Sequence, residues 1–275
     1  DLLLDAEGKK MSKSRGNIVE PFKTIEKYGA DTVRFYLPYV SPVWTPLKFN
    51  EEGLKEVYSK FLNPLKNTYS FFQMYANADQ IDTDDCLVEV AKRDEIDRWL
   101  LSRYNTLVKD VHAFFKEYDL NKVTRAIAGF VSEDLSNWYI RRNRKRFWSS
   151  EMDDSKKSVY QTTYEVLVGL SKLIAPITPF IAEEMYRKLT GEESVHLASY
   201  PVANDSLIDL ALEEKMDLVR EVIRLGRNGR EEAKIKVREP LSEVYLDGKI
   251  KSKIEALVTL ILEELNVKKV EFITH

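Results

Sequence analysis

The sequence is poor in the residues that build metal and disulfide sites. Its single cysteine, Cys86, excludes an internal disulfide framework and any all-cysteine metal site, and only three histidines occur in 275 residues. No stretch approaches about 18 consecutive apolar residues, so the sequence predicts no transmembrane helix. It begins with Asp1 and carries no signal peptide. We therefore expect a cytoplasmic chain that was cut from a longer protein.

The charge balance shows no excess of either sign. The chain has 42 Lys and Arg against 45 Asp and Glu, which gives a formal net charge of −3, and 44% of its residues are hydrophobic. This composition is typical of a globular protein with a sizeable core. A net charge near zero argues weakly against a nucleic-acid-binding protein, but it does not say where the charges lie.

Three segments differ in their hydrophobic pattern, and we assign a domain to each. Residues 1–50 combine a short apolar run, a polar basic loop and two short helical runs that break at Gly29. Residues 51–200 carry several long helices with one apolar stripe each, interrupted by an acidic linker at 79–85, and this pattern predicts an antiparallel bundle. Residues 201–275 mix helix and strand patterns, which predicts a small α/β module. The predicted fold class is therefore mainly α.

The last segment contains the clearest strand patterns of the chain. Ile235 and Val237 alternate with charged residues, which predicts a half-buried strand over 234–238. Residues 244–246 are candidates to pair with that strand. Residues 270–273 are expected to form the final strand.

A short loop near the start of the chain concentrates lysine and serine between two glycines. Lysine offers a compact charge on a long stem, and a mobile loop of this kind can neutralise the charge that develops during phosphoryl or adenylyl transfer. The alternative is a solvated basic loop without a ligand. We call this segment the lysine loop, and its residues are Lys10, Met11, Ser12, Lys13 and Ser14.

The densest cluster of positive charge lies near the middle of the chain. Aromatic rings stack on unpaired bases and guanidinium groups grip phosphates, so its composition predicts RNA binding. A helical wheel at about 100° per residue places these charges on the same side of the helix as the buried apolar stripe that begins at Val123. The alternative is a surface patch paired with nearby acids such as Glu133 and Glu151. The candidate RNA-binding residues are Trp138, Arg141, Arg142, Arg144, Lys145, Arg146 and Trp148.

A second basic edge is expected on the long helix of the last segment. Arg220, Arg224, Arg227 and Arg230 recur at helical spacing. Arg224 and Arg227 are the candidates for RNA contact there. Since glutamates stand close by in the sequence, a solvated, ion-paired edge is the alternative.

The lysine loop resembles the signature of a known family. Residues 10–14 read KMSKS, the signature of class I aminoacyl-tRNA synthetases, and residues 15–17 and 28–34 resemble the same family. The resemblance implies that Lys10 and Lys13 are catalytic residues that steady the pyrophosphate of ATP during adenylation. It also implies that all five residues of the loop are ATP-binding.

Further stretches resemble the isoleucine-specific members of that family. Residues 134–146 resemble their anticodon-binding helical domain, and residues 173–186 resemble a helix–turn–helix shared with the valine and leucine enzymes. Residues 41–44, 61–72 and 234–241 resemble isoleucine enzymes of the archaeal and eukaryotic-like type. The resemblance covers the whole chain and implies that the helical segment binds the anticodon of tRNA(Ile). A fragment of the valine enzyme is the nearest rival.

Parts of the family pattern are absent from the sequence. The His-x-Gly-His signature, the amino-acid pocket and the editing insertion do not occur. The resemblance therefore implies the carboxy-terminal portion of an enzyme that uses ATP with Mg²⁺ and isoleucine. That portion is expected to be a monomer that binds tRNA without catalysing, without binding ATP and without a membrane contact. One cysteine cannot build the zinc module of the other bacterial type, so we expect no metal ligands and no structural zinc.

Two alternatives from other classes stay open. A helical protein-interaction scaffold would bind any polyanion weakly and without regard to the anticodon. A free-standing ATP-using enzyme would bind ATP through the lysine loop alone, but the sequence lacks a nucleotide-binding core of strands and helices.

Overall fold

The computed structural model describes residues 3–82 and 86–273, and helices dominate it. This confirms the predicted fold class. The chain forms two compact units, which divide between residues 208 and 209. The separation of a first domain at residue 50 stays a prediction, because residues 1–208 form one unit. The acidic linker is described only up to Asp82, and residues 83–85 lie outside the described residues.

The first segment of the chain contains two short strands and two helices. Strands β1 (Leu3–Leu4) and β2 (Leu47–Lys48) pair in parallel. Helix α1 (Pro21–Tyr28) begins at a proline, whose fixed φ suits the first helical turn, and α2 (Ala30–Val40) follows directly. Gly29 stands between them with φ of 86°, a backbone conformation that glycine adopts without strain. The two predicted helices and the break are therefore confirmed.

Seven helices described after residue 50 form the bundle of the first unit. The helices are α3 (Glu51–Val57), α4 (Asn63–Ala78), α5 (Glu95–Lys116), α6 (Leu120–Gly129), α7 (Arg141–Trp148), α8 (Asp154–Ile174) and α9 (Pro179–Thr190). A π-helical segment, Tyr58–Leu62, joins α3 to α4 without a break in the helical backbone. A longer π-helical segment, Phe130–Ile140, joins α6 to α7 in the same way.

Helix α8 lies at the centre of this bundle and packs against α4, α5, α7 and α9. Trp99 on α5, Val166 on α8 and Leu135 on the π-helical segment that precedes α7 are fully buried. Burial of one such side chain contributes about 1.5–3 kcal/mol, so the apolar stripes hold the bundle together. A close approach of α5 to α8 requires Gly169, since a Cβ atom there would lie 2.1 Å from the hydroxyl oxygen of Tyr104.

The second unit is a small α/β module. It begins with α10 (Leu210–Glu232). Strands β3 (Leu241–Asp247) and β4 (Val267–Ile273) pair in parallel, and the short helices α11 (Lys251–Ile254) and α12 (Val258–Leu265) connect them. A parallel pair needs such a crossover, because a tight turn can only join antiparallel strands. The predicted final strand is confirmed and begins three residues earlier than expected.

The predicted strand over 234–238 is wrong, because these residues form turns and irregular backbone. Lys234 has a positive φ of 57°, and the amide of Ile235 donates to the carbonyl of Arg230 at the end of α10. The Arg230 guanidinium then donates to the carbonyl of Lys236 at 3.0 Å. The alternation of charged and apolar residues is real, but local hydrogen bonds to the end of the helix replace a strand partner.

Candidate functional site

Helix α7 exposes a face made of three cations and one indole. Arg141, Arg144, Lys145 and Trp148 are exposed, and their spacing of three and four residues places them together on the helix surface. Arg144 and Lys145 form no ion pair with any residue of the described part of the chain. The Trp148 side chain is 56% exposed, an unusual position for so large an apolar ring. We call these four residues the α7 face.

The opposite side of α7 anchors the helix in the bundle. Phe147 is 1% exposed and meets Phe71 and Tyr160 edge-on, at ring-centroid distances of 5.1 and 5.0 Å. Asn143 is buried and donates to the carbonyl of Tyr139 at 2.8 Å. Aromatic pairs in this geometry add about 0.5–1.5 kcal/mol beyond their buried area. The helix is therefore fixed from one side, and the α7 face stays on the other.

Arg146 belongs to the anchoring side. Its guanidinium forms a two-pronged ion pair with Asp97, at 2.8 and 2.7 Å, and Asp97 is fully buried. The Tyr139 hydroxyl donates to the same carboxylate at 2.6 Å. The Arg146 Nε atom donates to the Ser155 hydroxyl at 2.9 Å, and Asp94 lies 3.0 Å from the guanidinium. Hydrogen bonds and charge from Asp97 outweigh desolvation and raise the pKa of Arg146.

The structure places two of the predicted RNA-binding residues on this anchoring side. The donors of Arg146 are occupied inside the bundle, so the residue holds α7 in place and does not present its charge to a ligand. Trp138 is 5% exposed, and the Arg142 guanidinium stands over its ring at 5.4 Å. Trp138 is therefore a core residue that supports the half-buried Arg142, and its ring is not open to a base.

The helical wheel placed the charges on the wrong side of the helix. It assumed about 100° per residue throughout, whereas residues 130–140 are π-helical. Hydrogen bonds from i to i+5 turn the chain less per residue, so eleven such residues shift the register of everything that follows. Phe147 consequently faces the core, and Arg141 and Lys145 face solvent.

The lysine loop is exposed but has a defined shape. Residues Lys13–Arg15 form a single 3₁₀ turn that ends at Gly16, with φ of 65°. The hydroxyl groups of Ser12 and Ser14 lie 3.3 Å apart. The side chains of Lys10 and Lys13 are exposed and form no ion pair among the described residues. The loop therefore offers two available cations and two hydroxyl groups on a short stretch of backbone.

Comparison with known proteins identifies the family. The family model described as the anticodon-binding domain of tRNA ligase matches residues 97–246, which include α7 and more than half of the chain. The chain belongs to this family. A second model, tRNA synthetases class I (I, L, M and V), matches residues 1–50, which contain the lysine loop.

Two curated relatives of this chain are isoleucine–tRNA ligases. The one from Porphyromonas gingivalis is 45% identical over 276 residues, which are 99% of this chain and 24% of the relative. The one from Clostridium acetobutylicum is 42% identical over 98% of this chain and 26% of the relative. The chain thus spans about a quarter of the length of these relatives.

A solved structure supports the same fold. It is a ternary complex of the Agrobacterium radiobacter K84 LeuRS with tRNA and LeuAMS, with a TM-score of 0.58. The match covers 76% of this chain and 24% of that one, at 22% sequence identity. At this identity the likeness establishes the fold of the anticodon-binding domain and nothing further.

Most arginines of the second basic edge, on α10, already bind glutamates or backbone carbonyls. Arg224 forms two hydrogen bonds with Glu221, at 2.7 and 2.6 Å, and Arg227 pairs with the buried Glu264. Arg230 is 5% exposed and donates to the carbonyl of Leu265 at the end of α12. Arg224 and Arg227 remain candidates for RNA contact, but a phosphate would have to compete with a carboxylate for each guanidinium.

Two charged residues on α2 cap helix ends, a role that the sequence did not reveal. The Asp31 carboxylate accepts from the amide of Ile181 at 2.7 Å, at the start of α9, while the Arg34 guanidinium donates to the carbonyl of Ile177 at 2.9 Å, after the end of α8. Burial raises the pKa of Asp31, although hydrogen bonds from the backbone amides of Ile181 and Phe180 oppose the shift. Each charge complements the helix end that it meets, so α2 caps the α8–α9 turn from outside. Only their place in a stretch with family resemblance marked these residues in the sequence.

The described residues contain no metal cluster. Across residues 3–82 and 86–273, no three His, Cys, Asp or Glu side chains converge as metal ligands. Among the helices described, none combines the length and apolarity that crossing a bilayer requires.

Proposed function

We propose that this chain is the tRNA-binding part of a longer isoleucine–tRNA ligase and that it holds the anticodon loop of tRNA(Ile) on the α7 face. The single observation that carries the proposal is the α7 face itself. Three exposed cations and an exposed tryptophan stand on one side of a helix that lies within the matched anticodon-binding domain. The relatives compared above are isoleucine–tRNA ligases, which supports isoleucine over valine.

The chemistry of the face suits an unpaired RNA loop. Arg144 and Lys145 are free to neutralise phosphates, and Arg141 extends the charge by one turn of helix. Trp148 offers an open ring on which a base can stack, which contributes about 1–3 kcal/mol per base. A face that combines both features binds a single-stranded loop better than a duplex, whose bases are already stacked.

In the longer protein, the lysine loop would bind ATP. Lys10 and Lys13 fit this role because both are exposed and lack a carboxylate partner among the described residues, and Ser12 and Ser14 supply hydroxyl donors. ATP with Mg²⁺ would supply the activated phosphate: the isoleucine carboxylate would bond to the α-phosphate while the bond from that phosphate to pyrophosphate breaks. The two ammonium groups would steady the pyrophosphate as its charge develops. The chain alone would bind tRNA as a cytoplasmic monomer and would not catalyse.

Gel-shift titration of the chain with tRNA(Ile) and with an anticodon-swapped tRNA(Ile) tests the proposal. We expect tighter binding of the unmodified tRNA, and a loss of about 1–3 kcal/mol for Trp148→Ala. The double variant R144A/K145A should reduce the slope of log affinity against log salt by about 1–2, since two phosphate contacts disappear. The matched control K60A/K188A removes two exposed lysines that pair with glutamates at helical spacing. This control should change neither the affinity for tRNA(Ile) nor the slope of log affinity against log salt.

Three outcomes would contradict parts of the proposal. Equal affinity for both tRNAs would exclude anticodon recognition and would favour a scaffold with a basic surface. Tighter binding of tRNA(Val) than of tRNA(Ile) would assign the chain to a valine enzyme. An equal loss in R144A/K145A and in K60A/K188A would mean that binding depends on total charge and not on the α7 face.

A further inference from the structure

The side-chain amide of Asn17 closes the base of the lysine loop. Its Oδ1 atom accepts from the amide of Ser12 at 2.9 Å. Its Nδ2 atom donates to the Asp5 carboxylate at 2.8 Å and to the carbonyl of Lys10 at 3.3 Å. One side chain thus holds three points of the chain that lie five, seven and twelve residues away from it.

We call the three hydrogen bonds of Asn17 the latch. Asp5 connects the latch to strand β1 at the base of the lysine loop. Its Oδ1 atom accepts from the amides of Glu7 and Lys9, at 3.0 and 2.7 Å, and its own amide donates to the carbonyl of Lys9 at 2.9 Å. Leu4, on β1, forms a bridge with Lys10. The turn over residues 5–9 is therefore closed, and Asn17 ties the lysine loop to it.

An amide side chain suits this position better than a carboxylate or a hydroxyl. An amide both donates and accepts, whereas a carboxylate accepts only and a hydroxyl is too short to reach three partners. A carboxylate at position 17 would also stand within hydrogen-bond distance of Asp5, where two like charges repel. The latch holds backbone atoms of Lys10 and Ser12 and leaves the ammonium groups of Lys10 and Lys13 exposed.

We propose that Asn17 is a positioning residue of the lysine loop, which fixes the main chain at Lys10 and Ser12 so that the loop meets the pyrophosphate group of ATP already in shape. This inference rests on the ATP role proposed above for the lysine loop. A loop that is ordered before it binds loses less conformational entropy on binding, so the latch strengthens phosphate binding without touching phosphate. Lys9 does not share the role, because it pairs with Glu7 at 2.7 Å.

Amide exchange of the chain, followed by NMR, and pyrophosphate titration of the longer protein test this inference. In Asn17→Ala the Ser12 amide should exchange with solvent about fivefold faster, the factor that corresponds to one ordinary hydrogen bond. The affinity for inorganic pyrophosphate should fall by a similar factor in Asn17→Ala and should be lost in K10A/K13A. The control Glu7→Gln removes the carboxylate that pairs with Lys9 in the neighbouring turn and leaves the contacts of Asn17 in place, so it should change neither quantity.

The outcomes separate this inference from the ATP role itself. Faster Ser12 exchange together with weaker pyrophosphate binding in Asn17→Ala supports it. Unchanged Ser12 exchange, or unchanged pyrophosphate affinity despite faster exchange, overturns the positioning role of Asn17 alone. Unchanged pyrophosphate binding in K10A/K13A of the longer protein overturns the ATP role of the loop and this inference with it.

Discussion

Replacement of Asp97 by alanine is the perturbation that tests the placement of α7 most severely. Asp97 is fully buried and accepts from Tyr139 and twice from Arg146. Its loss would leave a largely buried guanidinium and a fully buried hydroxyl without their main partner. Breaking a buried ion pair from one side costs about 3–5 kcal/mol, whereas Tyr139→Phe removes one charge-assisted hydrogen bond and costs about 1.5–3 kcal/mol.

Urea unfolding followed by tryptophan fluorescence measures this effect in the first unit, because all four tryptophans lie within residues 1–208. A double-mutant cycle with Arg146→Met isolates the pair. Because an apolar replacement of both partners removes the uncompensated charge, D97A/R146M should be more stable than the sum of the single losses by at least about 2 kcal/mol. A loss below about 1 kcal/mol in Asp97→Ala, or additive losses in the cycle, would contradict this role of the Asp97–Arg146 pair.

Three further predictions concern other contacts. Gly169→Ala should destabilise the first unit by about 1–3 kcal/mol in the same urea assay, since the new methyl group would collide with Tyr104; an unchanged midpoint would contradict that contact. Asp31→Ala should cost about 1 kcal/mol and accelerate amide exchange at the start of α9, because an external cap is lost; exchange that is equal in both proteins would contradict the cap. The pKa of Asp5 lies below its usual value of 3.8, chiefly because of the Asn17 amide, so the bonds to its carboxylate should persist at neutral pH and be lost as the pH falls through the lowered value. Asn17→Ala should move that titration, followed by carboxyl-carbon NMR, to higher pH; no movement would contradict the assignment.

Local signals in the sequence predicted the elements that depend on local chemistry. Pro21 and Gly29 marked the limits of α1, because a fixed φ and a positive φ each allow few alternatives. The lysine loop and the cluster around Arg144 stood out by composition. The strand expected over 234–238 failed, since its alternation also suits a turn that hydrogen bonds to the end of a helix.

The sequence could not predict which cations of the basic cluster are exposed and which are paired inside the bundle. Arg144 and Arg146 stand two residues apart in a run of cations, yet one is exposed and the other is paired with Asp97. The π-helical register between α6 and α7 decides which of them faces solvent, and that register depends on how α7 packs in the bundle. Likewise, the caps that Asp31 and Arg34 provide join residues about 150 positions apart, so no local pattern could reveal them.

A photo-crosslink from the α7 face to tRNA would show which part of the tRNA this face binds. Trp148 is exposed and lies on the side of α7 away from the core, so a benzoylphenylalanine in its place would report which nucleotides the face touches. We expect crosslinks to tRNA(Ile) to fall in the anticodon loop and to disappear in the presence of an excess of free anticodon stem–loop. Crosslinks confined to the acceptor stem, or none from a chain that still binds the tRNA, would contradict it.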